Sequence, residues 1–147
     1  MPARVVIAAD HGALNIKQEI IEHLQQRGFE VKDVGVFTDD SVDYPDKAVD
    51  AVEEVRKGED EFGVVCCGTG IGICISANKM HGITCAMPQN SFAAQMAREH
   101  NNVNFLAFGG RIEYSEPIGK MLDAYIDAEF AGGRHSRRVD KMNGLEI

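Results

Sequence analysis

The stretch Val64-Val65-Cys66-Cys67-Gly68-Thr69-Gly70-Ile71-Gly72-Ile73-Cys74 decides how this chain reads. An uninterrupted apolar run delivers a thiol to a glycine-rich turn, and a helix begins just beyond it. A buried strand emptying into such a turn is where an open α/β sheet places its ligands. Backbone N–H groups at the start of a helix can hold an anion, and glycines let that anion approach closely. Strand alternation turns Cys66 and Cys67 to opposite faces, so at most one of them points into the cleft. Cys67, last before the turn, is the candidate, because a thiol at a helix N-terminus is acidified and can act as base or nucleophile. Cys74 and Cys85 read as core.

The same pattern repeats on both sides of this stretch. Arg4 to Ala9 reads as a buried strand closed by Asp10-His11-Gly12. Ile16, Ile20, Ile21 and Leu24 recur at helical spacing, with Lys17, Glu19, Glu22 and His23 on other faces, until Gly28 stops the helix. Glu30 to Val34 is a second strand. Pro45 suits the first turn of a helix whose inward face is Ala48, Val49, Val52 and Val55. Phe62 to Cys67, Ile83 to Ala86 and Asn104 to Phe108 are three more strands. The helix over 88–100 carries Phe92, Ala93, Met96 and Ala97 inward, and Ser115-Glu116-Pro117, with a capping hydroxyl, starts the last one. Five short apolar strands alternating with helices predict a parallel sheet covered on both faces: one Rossmann-like three-layer α/β/α domain over 1–147, with a basic tail from 132. The C-terminal ends of parallel strands share one rim, so Asp10-His11, the loop reaching Tyr44, Cys67-Gly68-Thr69 and Gly109-Gly110-Arg111 belong together. His100-Asn101, at a helix C-terminus, falls on the opposite edge and needs a neighbouring subunit to reach Cys67.

Composition narrows the classes. With 44% hydrophobic and 26% charged residues, the 147-residue chain is ordinary for a soluble globular protein. It has no apolar run of membrane-spanning length, and Met1-Pro2-Ala3-Arg4 leads straight into a strand without a signal-peptide pattern. Four cysteines, two of them adjacent, do not make a secreted disulfide framework, so a cytoplasmic setting is expected. A net charge of −8 argues against nucleic-acid binding. The charge is unevenly spread: residues 132–147 hold four Arg and Lys against two acids, and the remainder holds 11 against 21. A basic tail on an acidic body suits an anion site or a subunit contact, and a plain solvated tail is the alternative.

The glycine turn fits neither the G-x-x-x-x-G-K-[ST] phosphate loop nor the G-x-G-x-x-G dinucleotide fingerprint. A cysteine-phosphatase loop needs arginine where Gly72 or Ile73 stands, and a receiver domain needs aspartate where Cys67 stands. No C-x2-C pair exists and vicinal cysteines chelate one tetrahedral metal poorly, so no zinc site is expected. What remains is a set of backbone amides holding a small oxyanion. Arg111, Arg134 and Arg138 are phosphate candidates, because a guanidinium grips phosphate bidentately; for each alone, an exposed ion pair is the alternative. His100 is either a helix-end histidine or a proton donor and acceptor near neutral pH.

Taken in order, Ala9-Asp10-His11-Gly12, Asp43-Tyr44-Pro45, Cys67-Gly68-Thr69-Gly70-Ile71-Gly72, Ala77-Asn78-Lys79, His100-Asn101, Gly109-Gly110-Arg111 and Gly132-Gly133-Arg134-His135 with Arg138 resemble the ribose-5-phosphate isomerase type B and galactose-6-phosphate isomerase family along the whole chain. The resemblance implies metal-free, cofactor-free interconversion of an aldose phosphate and a ketose phosphate through a cis-enediolate, as in the pentose phosphate pathway. It implies Cys67 as the base, assisted by Thr69, with the amides of Gly68, Gly70, Ile71 and Gly72, and Asn101, holding the enediolate oxygen. By the same resemblance His100 opens the sugar ring, Asp10, His11 and Tyr44 contact the substrate, and Arg111, Arg134 and Arg138 bind its phosphate. It also implies a homodimer or tetramer with shared sites, which would bring His100 to the cleft.

One position departs from the family pattern. Thr84 stands where arginine is usual, and Met87-Pro88-Gln89-Asn90 follows it. That strand end is expected to border the rim, which leaves the substrate open among ribose 5-phosphate (the default), a tetrulose 4-phosphate, and allose or galactose 6-phosphate. A non-catalytic sugar-phosphate-binding subunit of a heteromer is the other alternative, against which the presence of Cys67, Thr69 and His100 weighs.

Overall fold

The computed structural model describes residues 3–58 and 60–146, and in it the apolar run ending at Cys67 is a strand, Asp60–Cys67 (β3), buried from Phe62 onward. Its neighbours are Arg4–Ala9 (β1) on one side and Phe105–Gly109 (β5) on the other. Outside them lie Glu30–Asp33 (β2) and Cys85–Ala86 (β4), so the order is β2-β1-β3-β5-β4 and every pairing is parallel. β1, β3 and β5 have neighbours on both sides and covered faces, which is why they read as continuous hydrophobic runs.

The described residues divide into two compact units. The first runs to Met87 and takes in Asn104–Glu113, so it holds the whole sheet with helices Leu14–Gln26 (α1), Tyr44–Lys57 (α2) and Ile71–Asn78 (α3). From β1 the chain steps one place to β2 through α1, then two places the other way to β3 through α2. Right-handed crossovers therefore put α1 and α2 on opposite faces. Ala48, Ala51 and Val52 of α2 and Ile73 and Ala77 of α3 share one core with Val6, Ala8, Val65, Cys67, Cys85, Phe105 and Ala107 of the sheet. α1 packs along β1 and β2, burying Ile16, Ile20, Ile21 and Leu24. The α/β/α layering is thus complete within this unit.

Unit two contains Ser91–Glu99 (α4), Ile118–Ile126 (α5) and Arg134–Asn143 (α6). α4 and α5 pack side by side, and the buried Tyr125 hydroxyl of α5 donates to the Val103 carbonyl at 2.6 Å.

Several expectations change. The basic tail holds a helix that its composition did not announce, α6, which begins at Arg134 immediately after Gly132 and Gly133, both at positive φ. Val49 and Phe92, read as inward, are exposed, and Ala51 and Ala94 face the interior instead. Lys17, read as a surface residue, is only 4% exposed. It stands four residues before Ile21 and seven before Leu24, so it shares their stripe. Ser115 caps nothing: α5 starts at Ile118 with Pro117 as its N-cap, and the Glu116 carboxylate accepts the backbone N–H of Ser91. The nearness of Ser91, its side chain first and then its backbone N–H, holds the Glu116 carboxyl below its ordinary range.

β4 is half as long as expected for a physical reason. On its outer edge the Cys85 N–H donates to Asn78 Oδ1 at 2.7 Å, and Asn78 Nδ2 donates to the Cys85 carbonyl at 2.9 Å. One side-chain amide thus does the work of a sixth strand and blocks the edge against further pairing. Asn104 does likewise at the strand's start, accepting from Thr84 N and donating to the Gly82 carbonyl. Asn78→Ala removes both bonds to Cys85. At about 0.5–1.5 kcal/mol per bond, it is expected to lower unfolding free energy by about 1–3 kcal/mol, read as a lower urea midpoint. An unchanged midpoint would show that water replaces the amide without loss.

Candidate active site

The turn after β3 is built by its own hydrogen bonds. The Gly70 N–H donates to Cys67 Sγ at 3.2 Å, and the Ile71 N–H donates to Thr69 Oγ1 at 3.2 Å. The first two donors of the turn are therefore taken by the thiol and hydroxyl that precede it, and α3 begins with the first-turn amides that every helix leaves without an internal acceptor. Gly70 sits at φ +82°, in the left-handed region, and a Cβ there would lie 2.9 Å from the Phe108 carbonyl carbon. Only glycine fits on both counts. Cys67 is 4% exposed and its side chain belongs to the core shared with α2 and α3, whereas Cys66 is fully buried on the other face.

Neighbouring strand ends close around this turn. The Gly110 N–H donates to the Cys67 carbonyl and the Arg111 N–H to the Gly68 carbonyl, both at 2.9 Å. This folds the loop after β5 over the turn, and Arg111 Nη1 lies 3.2 Å from where a Gly68 Cβ would be. At the end of β1, Asp10 is 6% exposed and donates its N–H to the Cys66 carbonyl, while its Oδ1 accepts the Gly12 N–H at 2.8 Å. His11 opens the short 3-10 turn His11–Ala13, and its Nδ1 accepts the Val42 N–H at 3.2 Å. Tyr44, first in α2, lays its ring against the turn: a Cβ on Gly72 would be 2.5 Å from Tyr44 Cε1. Unit one therefore brings together Asp10, His11, Tyr44, Cys67, Gly68, Thr69, Gly70, Ile71, Gly72 and Arg111.

Unit two holds the other four candidates. His100 is the C-cap of α4, and Asn101 follows it, exposed. Arg134 and Arg138 lie one turn apart on α6, both exposed. Between these two sets stands His135, stacked on His100 with ring centroids 4.1 Å apart and planes 10° from parallel. Desolvation, then the nearby His100, Arg134 and Arg138, push the His135 imidazole below its ordinary value. Sequence reasoning assigned His135 no role, although it lies inside the Gly132–His135 motif. A separate groove between α4 and α5, lined by Gln95, Glu99, Lys120 and Asp123, contains no candidate residue. Among the described residues, no three His, Cys, Asp or Glu side chains converge where a metal ion could sit.

Thr84 is not on the rim. Its carbonyl accepts the N–H groups of Asn104 and Phe105, where β5 begins, whereas Gly109 marks the rim. Four residues of strand, about 13 Å, separate those two levels. Met87, just past the end of β4 and 39% exposed, is the departing residue of unit one that follows a strand C-terminus.

The two adjacent thiols differ in environment. Burial, then the neighbouring Cys67, pushes the Cys66 thiol far above its ordinary range. Its raised value means the unfolded chain loses this proton first, so stability falls as pH rises past the ordinary thiol value of about 8.5. Cys66 is accordingly expected to resist iodoacetamide at pH 8 in the folded protein and to react once guanidinium unfolds it, as peptide mass spectrometry would show. Carboxamidomethylation of Cys66 in the folded protein would contradict the assignment.

Comparison with known proteins agrees with this architecture. The model of the ribose/galactose isomerase family matches residues 5–142. Ribose-5-phosphate isomerase B of Escherichia coli (strain K12) is 38% identical over 143 residues, covering 97% of this chain and 96% of that protein. The D-erythrulose-4-phosphate isomerase of Pectobacterium atrosepticum is 37% identical over 97% of this chain and 94% of its own. The structure of Clostridium thermocellum ribose-5-phosphate isomerase B superposes with a TM-score of 0.91 at 45% identity, covering 97% and 96% of the two chains. With residues 5–142 matched by the family model and near-full-length relatives at 37–45% identity, the chain belongs to the ribose/galactose isomerase family, a family of sugar-phosphate isomerases.

Proposed function

We propose that this protein interconverts D-ribose 5-phosphate and D-ribulose 5-phosphate, a step of the pentose phosphate pathway, through a cis-enediolate. The observation that carries the reading is the Gly70 N–H on Cys67 Sγ, which keeps a thiol at the mouth of an oxyanion-holding turn. Cys67 takes the proton from C2 of the open-chain aldose and returns it to C1, while the hydroxyl proton on O2 passes to O1. Thr69 assists at this site. The oxygen that becomes negative between the two steps is held by the amides of Gly68 and Gly72, with Asn101, since those of Gly70 and Ile71 are engaged by Cys67 and Thr69. A proton beside a carbonyl is only weakly acidic, so base and oxyanion donors must act together.

In this reading His100 opens the furanose ring, Asp10, His11 and Tyr44 hold the sugar, and Arg111, Arg134 and Arg138 grip the phosphate. His100, Asn101, Arg134 and Arg138 reach the turn from a second copy of the chain in a homodimer or tetramer. Ile71 and Ile75, one turn apart on α3 and each about half exposed, support such pairing, since isoleucines on one helix face are an ordinary subunit contact. Four free cysteines suit a cytoplasmic setting.

A tetrulose 4-phosphate is the second reading, favoured by the similarity to the D-erythrulose-4-phosphate isomerase. A panel of tetrose, pentose and hexose phosphates separates the two. Ribose 5-phosphate is expected to exceed each of the others in kcat/KM by about tenfold or more, with no loss on adding EDTA. Cys67→Ala is expected to lower kcat by about 10²–10⁴-fold, and Cys66→Ala to leave it near wild type. Preference for the tetrulose phosphate would install the second reading, and loss of turnover in Cys66→Ala alone would transfer the base to the other thiol.

A further inference from the structure

Lys17 carries a charge in the first turn of α1, where every other buried residue of the helix is aliphatic. Its ammonium donates to Asp33 Oδ1 at 3.0 Å, to Asp33 Oδ2 at 2.8 Å and to the Val36 carbonyl at 2.5 Å, and it lies 4.7 Å from the centre of the Phe37 ring. Enclosing an ammonium is costly unless its protons are all bonded, and here three acceptors and an aromatic face meet it. Asp33 Oδ1 also accepts the Gly35 N–H at 2.9 Å. One side chain thus gathers the end of β2 and the first residues of the loop that leads to α2.

That loop runs directly into the site. Beyond β2 it continues the sheet pairing, with the Ala9 N–H donating to the Gly35 carbonyl and the Val36 N–H to the Ala9 carbonyl, both at 2.8 Å. Ala9 is the residue before Asp10 and His11. Lys47 of α2 fastens the same segment from its other end, donating to the Val34 carbonyl at 2.8 Å. The loop then swings out through exposed residues 38–41 and returns at Val42, whose N–H donates to His11 Nδ1. Two residues later Tyr44 lays its ring on Gly72.

The bond from Val42 has a chemical consequence. A ring nitrogen that accepts carries no proton, so the hydrogen of the neutral His11 imidazole is on Nε2. His11 therefore offers an N–H donor to the site, the form that suits an oxygen of a sugar or phosphate. Nothing in α1 or β1 imposes this; the constraint comes from the loop, and the loop's start is held by Lys17.

We infer that Lys17 is a positioning residue for the reaction: by clamping Asp33 and Val36 it holds the loop that keeps His11 in its Nε2–H form and Tyr44 on the glycine turn. The kinetic part of this inference rests on the isomerase reading above, but the tautomer part does not.

The test uses uniformly ¹⁵N-labelled full-length protein. In a long-range ¹H–¹⁵N spectrum, with His11 assigned by its loss in His11→Asn, wild type is expected to show an unprotonated Nδ1 and a protonated Nε2. Lys17→Met keeps the side-chain stem and removes the charge. It is expected to give His11 a mixture of tautomers. In steady-state assays it should raise KM for the sugar phosphate about tenfold to a hundredfold, with a smaller effect on kcat. Introduced into His11→Asn, the same change should add far less to KM, because the group it acts through is gone. Should Lys17→Met not fold, Asp33→Asn, which keeps shape and removes the partner charge, is expected to act in the same direction. A wild-type His11 protonated on Nδ1, or a tautomer untouched by either variant, overturns the inference and leaves the isomerase reading standing. KM effects of Lys17→Met and His11→Asn that multiply independently also overturn it. Absence of sugar-phosphate turnover in wild type removes the isomerase reading, and the tautomer measurement still decides the role of Lys17.

Discussion

The N–H of Gly70 donating to the sulfur of Cys67 is the contact on which the rest of the site depends. It requires a strand that ends on a side chain facing α2 and α3, a chain that reverses within three residues, and a left-handed backbone at the reversal. Each requirement is met by something elsewhere in the sheet. β3 is central and flanked by β1 and β5, so its end is fixed on both sides. The positive φ at residue 70 and the nearness of the Phe108 carbonyl exclude every side chain but hydrogen. The carbonyls of Cys67 and Gly68 are taken by Gly110 and Arg111, which pins the turn from above. A mobile version of this turn would present amides that had to reorganise as charge developed, and preorganised donors avoid that cost.

The candidate residues are divided between the two units of the chain. The sheet-bearing unit supplies the thiol, the amides, the carboxylate of Asp10 and one arginine. The helical unit supplies a stacked pair of histidines with two arginines on α6. In the proposed reading the first set serves proton transfer beside a carbonyl, and the second serves proton transfer to a ring oxygen and neutralisation of a dianion.

Much of this was legible in the residues. Parallel strands buried on both faces read as apolar runs, so β1, β3 and β5 were expected within two residues of where they lie, and their ends alone put Asp10, Cys67 and Arg111 on one rim. Periodicity failed where one residue decided the outcome. Val49 and Phe92 are apolar but lie beside the inward stripe, and Lys17 is charged but lies on it, so polarity and position disagreed and position prevailed. β4 was expected at twice its length because its hydrogen bonds go to Asn78 and Asn104, a substitution of side chain for backbone that no alternation pattern records. The role of residue 84 was misplaced for the same reason: without the register to Asn104 and Phe105, the start and end of so short a strand look alike. The partnership of His100 with His135 is a contact between residues 35 apart in sequence, visible only once α6 exists.

The claim that a single thiol moves a proton between adjacent carbons is tested most directly by running the isomerisation of ribose 5-phosphate in D₂O and following the product by NMR. The account predicts partial deuterium on C1 of the ketose formed by wild type, because a proton held on sulfur exchanges with solvent in competition with its return, and loss of both turnover and incorporation with Cys67→Ala. Ketose formed by Cys67→Ala at the wild-type rate and with the wild-type deuterium content would contradict it, since the proton would then move between the carbons without the thiol.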